Sequence, residues 1–257
     1  MYHRSKDKVL SKIGYYNDQK GIMNRYLREV SNWDPHVANT KSAILKGMDG
    51  KTRHKAIVLG SGWLIDVPFE ELASSFQELW LVDVYHPPQI IKRASLYTNI
   101  RFIQTELTGL ANQVYDSVKL YRKSKFKTPV GHLQPASPVD LNSFDYVVSC
   151  NILSQLDVIL TDYLREYNIY SQEEINTLIA AIQLTHLRSL PANKSILISD
   201  VEEQFIDRGE TMVNSRPLLM VPLSSTGISD TWIWKFDTQR TYNPQYMTYF
   251  KVVTLNI

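Results

Sequence analysis

Short apolar runs alternate with longer amphipathic segments along the chain. Residues 56–59 form an apolar run that is too short for a helix, which predicts a buried strand. The turn Gly60-Ser61-Gly62 follows it, and Pro68, suited to a first helical position, predicts a helix that ends near residue 77. A second apolar run at 79–82 ends on Asp83. This order predicts a strand–helix–strand unit.

The alternation continues through the middle of the chain. We predict further strands at 99–105, 144–150 and 195–199, and helices at 89–96, at 110–121 and from Ser171 onward. Ser171 and Glu174 have the spacing of a capping box. Residues 144–150 are apolar without clean alternation, which indicates a sheet covered on both faces. His186 falls on a mostly apolar helix face, where we expect a core residue rather than a catalyst.

The C-terminal segments differ in character from the rest. Residues 230–236 and 245–255 are rich in aromatic and β-branched residues, which favours strands. The link at 238–244 leaves no room for a crossover helix, so the two strands should pair antiparallel. The whole pattern predicts an α/β protein with a Rossmann-like, doubly wound and mostly parallel seven-stranded sheet that ends in an antiparallel hairpin.

The first 50 residues predict helices. Apolar residues fall at helical spacing in two groups, namely Val9, Leu10 and Ile13, then Ile22, Met23, Tyr26, Leu27 and Val30. The segment Trp33-Asp34-Pro35 should break the second helix, because a residue before proline avoids the α region. A short helix is then expected at 36–46. We therefore divide the chain into an N-terminal helical cap, 1–50, and an α/β domain, 51–257.

Composition narrows the class of protein. The chain has 257 residues, a net charge of +2 and 44% hydrophobic residues, so neither nucleic acid nor a membrane surface is an expected partner. The basic cluster at 119–127 is expected to be a solvated face, and 128–142, with three prolines, a long loop. A polar N-terminus and the single Cys150 favour a cytoplasmic protein without disulfides. Six His and one Cys show no metal-ligand spacing, so no metal is expected.

The strand–helix–strand unit has features of a nucleoside site. Two glycines after a strand let a ligand approach the backbone, and Asp83, about 20 positions after Gly62, is placed to bind a ribose diol. A dinucleotide fingerprint needs a third Gly or Ala where this chain has Ile65. Trp63 and Leu64 add bulk that would crowd a pyrophosphate. A cofactor without phosphates is therefore favoured.

The segments LGSGWLIDVPFEELASSF, LWLVDV and SCNILSQL resemble those of the class I S-adenosylmethionine-dependent methyltransferases, from about Ala56 to the C-terminus. The resemblance implies methyl transfer from S-adenosyl-L-methionine to an acceptor, with a small molecule as the expected acceptor. It also implies that the N-terminal helices cover the cofactor. The cofactor-binding residues implied or inferred are Gly60, Ser61, Gly62, Asp66, Asp83, Val84, Glu106, Leu107 and Asn151.

Acceptor residues are expected beyond the carboxyl ends of the strands, where ligands of open parallel sheets bind. Asn151 and Gln155 follow the fourth strand and are our candidates for positioning the acceptor; a helix-capping role for Gln155 stays open. The candidates for binding the substrate are Trp33, His36, Tyr85 and Asp200. Asp200 lies near Glu202 and Glu203, an acidic group that could bind a cationic acceptor or act as a base.

The chain departs from the family pattern at Val58 and Leu64, where the family has an acid and a glycine. Asp66 could replace the missing acid at the cofactor's amino group, or could simply cap the following helix. Glu106 could read the adenine or be a solvated loop acid. These departures leave two alternatives open. The chain could be a non-catalytic or regulatory protein on this fold, or it could transfer another part of the same cofactor.

Overall fold

The computed structural model describes residues 7–224 and 227–257, which build one mixed eight-stranded sheet. Seven strands run in the order β3-β2-β1-β4-β5-β8-β7, and β6 pairs with β5 outside this path. The first five strands are parallel, while β6, β7 and β8 are antiparallel to their partners. The strands are β1 Lys55–Leu59, β2 Glu78–Asp83, β3 Ile100–Gln104, β4 Tyr146–Cys150, β5 Ser195–Ile206, β6 Met212–Pro217, β7 Ile228–Asp237 and β8 Met247–Asn256.

Helices cover both faces of this sheet. They are α1 Lys8–Ile13, α2 Tyr15–Gly47, α3 Phe69–Ser75, α4 Pro88–Ala94, α5 Ala111–Ser124, α6 Val158–Glu166 and α7 Gln172–Ser189. Successive side chains of β1 enter different cores, with Val58 against α2 and α3 and Leu59 on the opposite face. All five residues of β4 are buried. The predicted fold, including the final antiparallel hairpin, is confirmed.

The N-terminal helix differs from the prediction. Instead of breaking at Trp33-Asp34-Pro35, α2 continues past Pro35, and its only non-helical backbone is at Glu29 (φ −114°, ψ 20°) within Tyr15–Gly47. The buried Glu29 carboxylate accepts hydrogen bonds from the backbone N–H groups of Thr238 and Gln239, 3.0 and 3.1 Å away. Tertiary contact to the β7–β8 link therefore decides where the helix bends, and the proline is accommodated within it.

Two elements have no counterpart in the sequence prediction. Strand β5 continues to Ile206, past the predicted end at 199, and forms a hairpin with β6. All six residues of β6 are exposed, so its segment MVNSRP has no apolar run to mark it. Helix α6 was likewise not predicted. Both elements contribute residues to the wall of the cavity described below.

Other predictions hold. Ser171 and Glu174 form the expected capping box at the start of α7. His186 is buried, with Nε2 2.8 Å from Oγ of Ser149, and burial lowers its pKa to about 4, so it is a neutral core residue. The basic residues between 119 and 127 are exposed. Among the described residues, no helix has the length and apolar character needed to cross a bilayer.

Candidate functional site

A cavity of about 830 Å³ lies at the carboxyl ends of β1, β2, β4 and β5. Helix α2 forms one side through Gln19, Arg25 and His36, and aromatic residues of β7 and β8 form another. This is the edge at which ligands of open parallel sheets bind. The volume falls within the range of about 300–1,000 Å³ that is usual for small-molecule sites.

The glycine turn after β1 forms part of the cavity wall. Gly60 has φ +81°, and a Cβ there would overlap Cγ2 of Ile152 and lie 2.8 Å from the carbonyl oxygen of Cys150. Its N–H donates to the carbonyl of Val82, 3.0 Å away. Only glycine therefore fits at position 60, because β1 and the segment after β4 approach each other closely there.

Asp83 ends β2 and is bound to the glycine turn. The N–H of Gly62 donates to its Oδ2 over 2.8 Å, and the amide of Gln19 on α2 donates to its Oδ1 over 3.2 Å. Burial raises the pKa of Asp83 to about 6, while the backbone N–H of Gly62 acts in the opposite direction. The carboxylate thus links strand, turn and N-terminal helix on the cavity wall.

Asn151 joins a second group of polar residues. It has φ +51°, a conformation that non-glycine residues seldom adopt, directly after β4. Its Nδ2 lies 2.6 Å from Oδ2 of Asp66 and 3.2 Å from Nε2 of His36. The indole N–H of Trp232 donates to Nδ1 of His36 over 3.1 Å. Backbone strain at such a position is typical of functional sites.

The surroundings of this group set its charges. Burial lowers the pKa of His36 to about 3, so the ring is neutral at physiological pH, and it stacks on Trp234 with the ring centroids 3.9 Å apart. Burial raises the pKa of Asp66, and the Asn151 amide opposes that rise. Asp66 does not cap α3, whose start at Pro68 has no side-chain cap. The carboxylate of Asp66 instead accepts a hydrogen bond from the side chain of Asn151.

Two further acids line the cavity with an oxygen that has no partner. Oδ1 of Asp157, at the start of α6, and Oδ1 of Asp200, in β5, are buried without a hydrogen-bond partner. Other cavity residues also have an unpartnered polar atom, namely Gln19 Oε1, Arg25 Nε, Asn151 Oδ1 and Trp234 Nε1. Burial raises the pKa of both Asp157 and Asp200 to about 6. Buried polar atoms without partners are uncommon in native proteins and require an explanation.

The arginines of the cavity have other contacts. Arg216 Nε donates to Oε2 of Glu203 over 2.5 Å, and Arg165 donates to Asp162 over 3.0 Å. The guanidinium of Arg25 lies 4.6 Å from the ring centroid of Phe236. Among residues 7–224 and 227–257, none of the three forms an ion pair with Asp157 or Asp200.

The structure brings ten of the fourteen predicted site residues to this cavity. They are Trp33, His36, Gly60, Ser61, Gly62, Asp66, Asp83, Asn151, Gln155 and Asp200. Trp33 and His36 are both buried, and the Trp33 indole donates to the carbonyl of Phe236 over 2.9 Å. The structure gives the positions of these residues at the cavity, and the roles assigned to them stay predictions.

Four predicted residues lie outside the cavity wall. Val84 and Tyr85 pack in the core beneath α1 and α5. Leu107 packs against the core that contains Leu59 of β1. The carboxylate of Glu106 accepts hydrogen bonds from the backbone N–H groups of Thr108, Leu110 and Ala111 at the start of α5. Glu106 is thus a buried capping acid in this structure rather than a solvated one, and its adenine role stays a prediction.

Several cavity residues were not singled out from the sequence. Gln19 and Arg25 lie on α2 at ordinary polar helix positions, so nothing in the pattern marks them. Asp157 stands just before α6, an element that the sequence did not predict. Ser154 belongs to the segment SCNILSQL but carried no separate signal. These residues reach the site because the N-terminal helix and the segment after β4 fold over the sheet edge.

The strand order, with five parallel strands and an antiparallel C-terminal pair, is that of the class I S-adenosylmethionine-dependent methyltransferase fold. This agrees with the resemblance in the sequence. No protein-family model and no curated protein sequence matches the chain. The likeness is therefore one of structure, and known structures supply the comparisons.

Three solved structures align with this chain at low identity and low structural similarity. The N-methyltransferase NodS from Bradyrhizobium japonicum WM9 in complex with S-adenosylhomocysteine is 13% identical, with a TM-score of 0.40 over 87% of this chain and 86% of that one. The 1,6-didemethyltoxoflavin-N1-methyltransferase of Burkholderia thailandensis is 11% identical, with 0.43 over 100% and 93%. Phosphoethanolamine N-methyltransferase 1 of Haemonchus contortus is 10% identical, with 0.37 over 100% and 52%.

Proposed function

We propose that this protein binds S-adenosyl-L-methionine and transfers its methyl group to a small-molecule acceptor. The observation that carries the proposal is the meeting of the glycine turn and Asp83, 2.8 Å from Gly62 N to Oδ2, on the wall of the large cavity at the carboxyl edge of the sheet. An ionised carboxylate accepts about four hydrogen bonds, so a ribose diol would bind Asp83 by taking the place of the Gln19 amide, which lies 3.2 Å from Oδ1.

The residues present fit the ribose and the methionine part of this cofactor. Gly60, Gly62 and Asp83 would hold the ribose side, and Asp66 is available for the amino group at the other end. When bound, the cofactor supplies an electrophilic methyl group attached to a sulfonium. The protein has mainly to align the acceptor with that methyl. Helix α2 would cover the cavity, because it supplies Gln19 and other lining residues.

Asn151 and its neighbours would position the acceptor. The side chain is fixed from two directions, by Asp66 at 2.6 Å and by His36 at 3.2 Å. His36 is in turn fixed by the Trp232 indole N–H. A side chain held in this way keeps its geometry when a ligand binds, which is what alignment requires. Gln155 lies on the same wall and would act beside it.

The test is a thermal-shift titration with S-adenosylhomocysteine, S-adenosylmethionine and NAD. Ligand at 100 times its dissociation constant stabilises the protein by about 2.7 kcal/mol, or roughly 5–10 °C for a chain of this size. We expect shifts with the first two ligands only. Replacing Asp83 by Asn should weaken S-adenosylhomocysteine binding by about 1.5–3 kcal/mol, the usual contribution of hydrogen bonds to a charged group.

The matched control is Asp116→Asn, which removes the same charge at an exposed position on α5. It should leave the affinity unchanged. If Asp83→Asn folds normally and binds as tightly as the unaltered protein, the ribose assignment is wrong. If NAD alone shifts the melting temperature, the cofactor is wrong.

A second candidate is a non-catalytic protein that retains the fold. The observation in its favour is that Glu106 is bound to three backbone amides and that Ile152 packs against Gly60, so the adenine and the ribose have fewer free groups to bind than the family pattern implies. The two candidates differ in turnover. A non-catalytic protein either fails to bind the cofactor or binds it without forming S-adenosylhomocysteine with any acceptor.

A further inference from the structure

Two buried acids of the cavity each have a carboxylate oxygen without a partner. Asp157 and Asp200 are 6% and 3% exposed, and Oδ1 of each lacks a hydrogen-bond partner. Ser154 beside Asp200 and Gln183 beside Asp157 oppose the rise that burial causes in the pKa of each acid. The cavity has further unpartnered polar atoms on Gln19, Arg25, Asn151 and Trp234. Groups buried this deeply usually have partners, so the two carboxylate oxygens indicate a place for a ligand.

The chemistry of these atoms restricts the ligand. An ionised carboxylate can only accept hydrogen bonds, and a hydroxyl can do either. A group that satisfies both Asp157 and Asp200 must therefore donate, and the strongest donors to a carboxylate are charged nitrogens. A carboxylate or phosphate ligand would instead place like charges together at low exposure.

In the part of the chain that the structure describes, the protein supplies no ion pair for Asp200, and for Asp157 only the more distant charge of Arg165, which opposes the rise in the pKa of that acid. Asp200 faces Ser154 after β4, Glu203 on its own strand, Arg216 on β6, and Tyr242 and Arg25 around the cavity. The charge of Glu203 is matched by Arg216, 2.5 Å away, and Arg25 lies over the rings of Phe236 and Tyr242. Asp200 keeps a net negative charge that no side chain within the described residues pairs with.

The same cavity also has aromatic walls. Trp33, Trp234, Phe236 and Phe250 line the same cavity. Aromatic faces attract ammonium groups through their quadrupoles, and they bury the carbon skeleton that carries the nitrogen. Acid and aromatic groups together are selective for amines over alcohols or acids of the same shape.

We propose that this part of the cavity binds the acceptor through an amine nitrogen, and that Oδ1 of Asp200 takes the proton which that nitrogen loses. The inference rests on the proposed function. The bound ammonium first gives one proton to Asp200, which passes it to solvent, and this frees the nitrogen lone pair. The lone pair then forms the new N–C bond while the C–S bond breaks with its electron pair left on sulfur, and the methylated product keeps the remaining positive charge as an ammonium. Asp157 orients the acceptor through a second hydrogen bond.

The test compares three probes that share a phenethyl skeleton: phenethylamine, 2-phenylethanol and phenylacetate. Binding is followed by thermal shift at pH 7.5 with and without saturating S-adenosylhomocysteine. We expect only the amine to stabilise the protein. Its affinity should be about tenfold weaker at pH 5 than at pH 7, because burial raises the pKa of Asp200 to about 6 and protonation removes the charge.

Two variants assign the effect to Asp200. Asp200→Asn keeps the shape of the side chain and should lower the amine affinity by at least about tenfold. Asp230→Asn removes the same charge from an exposed position on β7 that does not line the cavity, and should leave it unchanged. Circular dichroism and the melting temperature check that both variants fold. Equal binding of the amine by all three proteins, or no binding of it, would overturn the proposal.

The cofactor itself also carries an ammonium group, and a separate comparison excludes it as the partner. S-adenosylhomocysteine has this group, whereas 5′-methylthioadenosine lacks it. We expect Asp200→Asn to bind both as the unaltered protein does. A loss confined to S-adenosylhomocysteine would assign Asp200 to the cofactor and overturn the acceptor site. If S-adenosylhomocysteine never binds but the amine does, through Asp200, the amine site stands and the proposed function fails.

Discussion

The two halves of the sheet edge carry acids that are equally buried but differently bonded. On the β2–β3 side, Asp83 and Glu106 are 7% and 8% exposed, and backbone N–H groups donate to both carboxylates. On the β4–β5 side, Asp157 and Asp200 are 6% and 3% exposed, and each retains an oxygen without a partner. The four carboxylates are equally buried, so the difference lies in whether backbone N–H groups donate to them.

This difference separates acids that hold the fold from acids whose oxygens lack a donor. A carboxylate that accepts several backbone N–H groups stabilises the turn or helix start that it binds, and it takes a ligand only by exchanging one of its hydrogen bonds. A buried carboxylate without hydrogen-bond partners destabilises the folded protein until a donor binds to it. We therefore expect changes on the β2–β3 side to lower the stability of the fold and changes on the β4–β5 side to raise it.

The largest effect is expected for Gly60→Ala, in the turn after β1 whose Gly62 N–H donates to Asp83. The added Cβ would overlap Ile152 and lie 2.8 Å from the Cys150 carbonyl, at φ +81°. Positive φ costs a non-glycine residue about 1–2 kcal/mol, and overpacking adds about 1–3 kcal/mol. We expect a loss of about 3 kcal/mol in the free energy of unfolding, measured by urea denaturation.

The control for this change is Gly131→Ala in the long loop. Nothing lies within 4 Å of a Cβ at Gly131, and its φ is not in the left-handed region. That variant should unfold within about 0.5 kcal/mol of the unaltered protein. A Gly60→Ala variant that is as stable as Gly131→Ala would show that the turn is looser than the contacts with Ile152 indicate.

The next effect concerns Glu106, where the prediction from sequence and the observed contacts point to different roles. Glu106→Ala removes the acceptor for three backbone N–H groups at the start of α5. We expect it to lower the free energy of unfolding by about 2 kcal/mol, within the range for capping and charged hydrogen bonds. The affinity for S-adenosylhomocysteine should change less than twofold.

Calorimetric titration of the folded variant checks the second expectation. If Glu106→Ala is stable but binds S-adenosylhomocysteine tenfold more weakly, the acid reads the cofactor, as the family resemblance implies. Glu106→Gln is the companion variant. It retains one acceptor oxygen, so it should lose less stability than Glu106→Ala.

The same residues show how much of the structure could be predicted from the sequence. The apolar runs predicted the strands, and the glycine turn with Asp83 located the cavity edge, because both depend on local pattern and spacing. The capping box at Ser171 and Glu174 is equally local, and it is present. Fold class and the position of the site could therefore be predicted before any contact was known.

What the sequence could not show depends on contacts between distant segments. An acid after a strand has the same local signal at Glu106 as at Asp200, and only the path of the following backbone decides whether N–H groups reach it. The bend at Glu29 depends on Thr238, more than 200 residues away in the chain. Strand β6 has no apolar pattern at all, since every residue in it is exposed.

The smallest effect is expected for Asp200→Asn, and its sign is opposite to that of the other two. Burial raises the pKa of Asp200 from its ordinary value near 4 to about 6. Below pH 4 the group is protonated in both folded and unfolded chains, so it has no effect. Between pH 4 and 6 the folded chain binds more protons, so stability falls as the pH rises, and above pH 6 the loss is complete.

Replacing Asp200 by Asn removes that loss. We expect the variant to be about 1–2 kcal/mol more stable than the unaltered protein at pH 7.5 and equally stable at pH 4, because the new amide must still be accommodated without a full set of partners. Urea denaturation at the two pH values measures both quantities. A variant that is less stable at pH 7.5 would mean that the carboxylate has a partner in the folded protein. The β4–β5 side would then resemble the β2–β3 side, and the vacant hydrogen-bonding capacity on which the amine site depends would be absent.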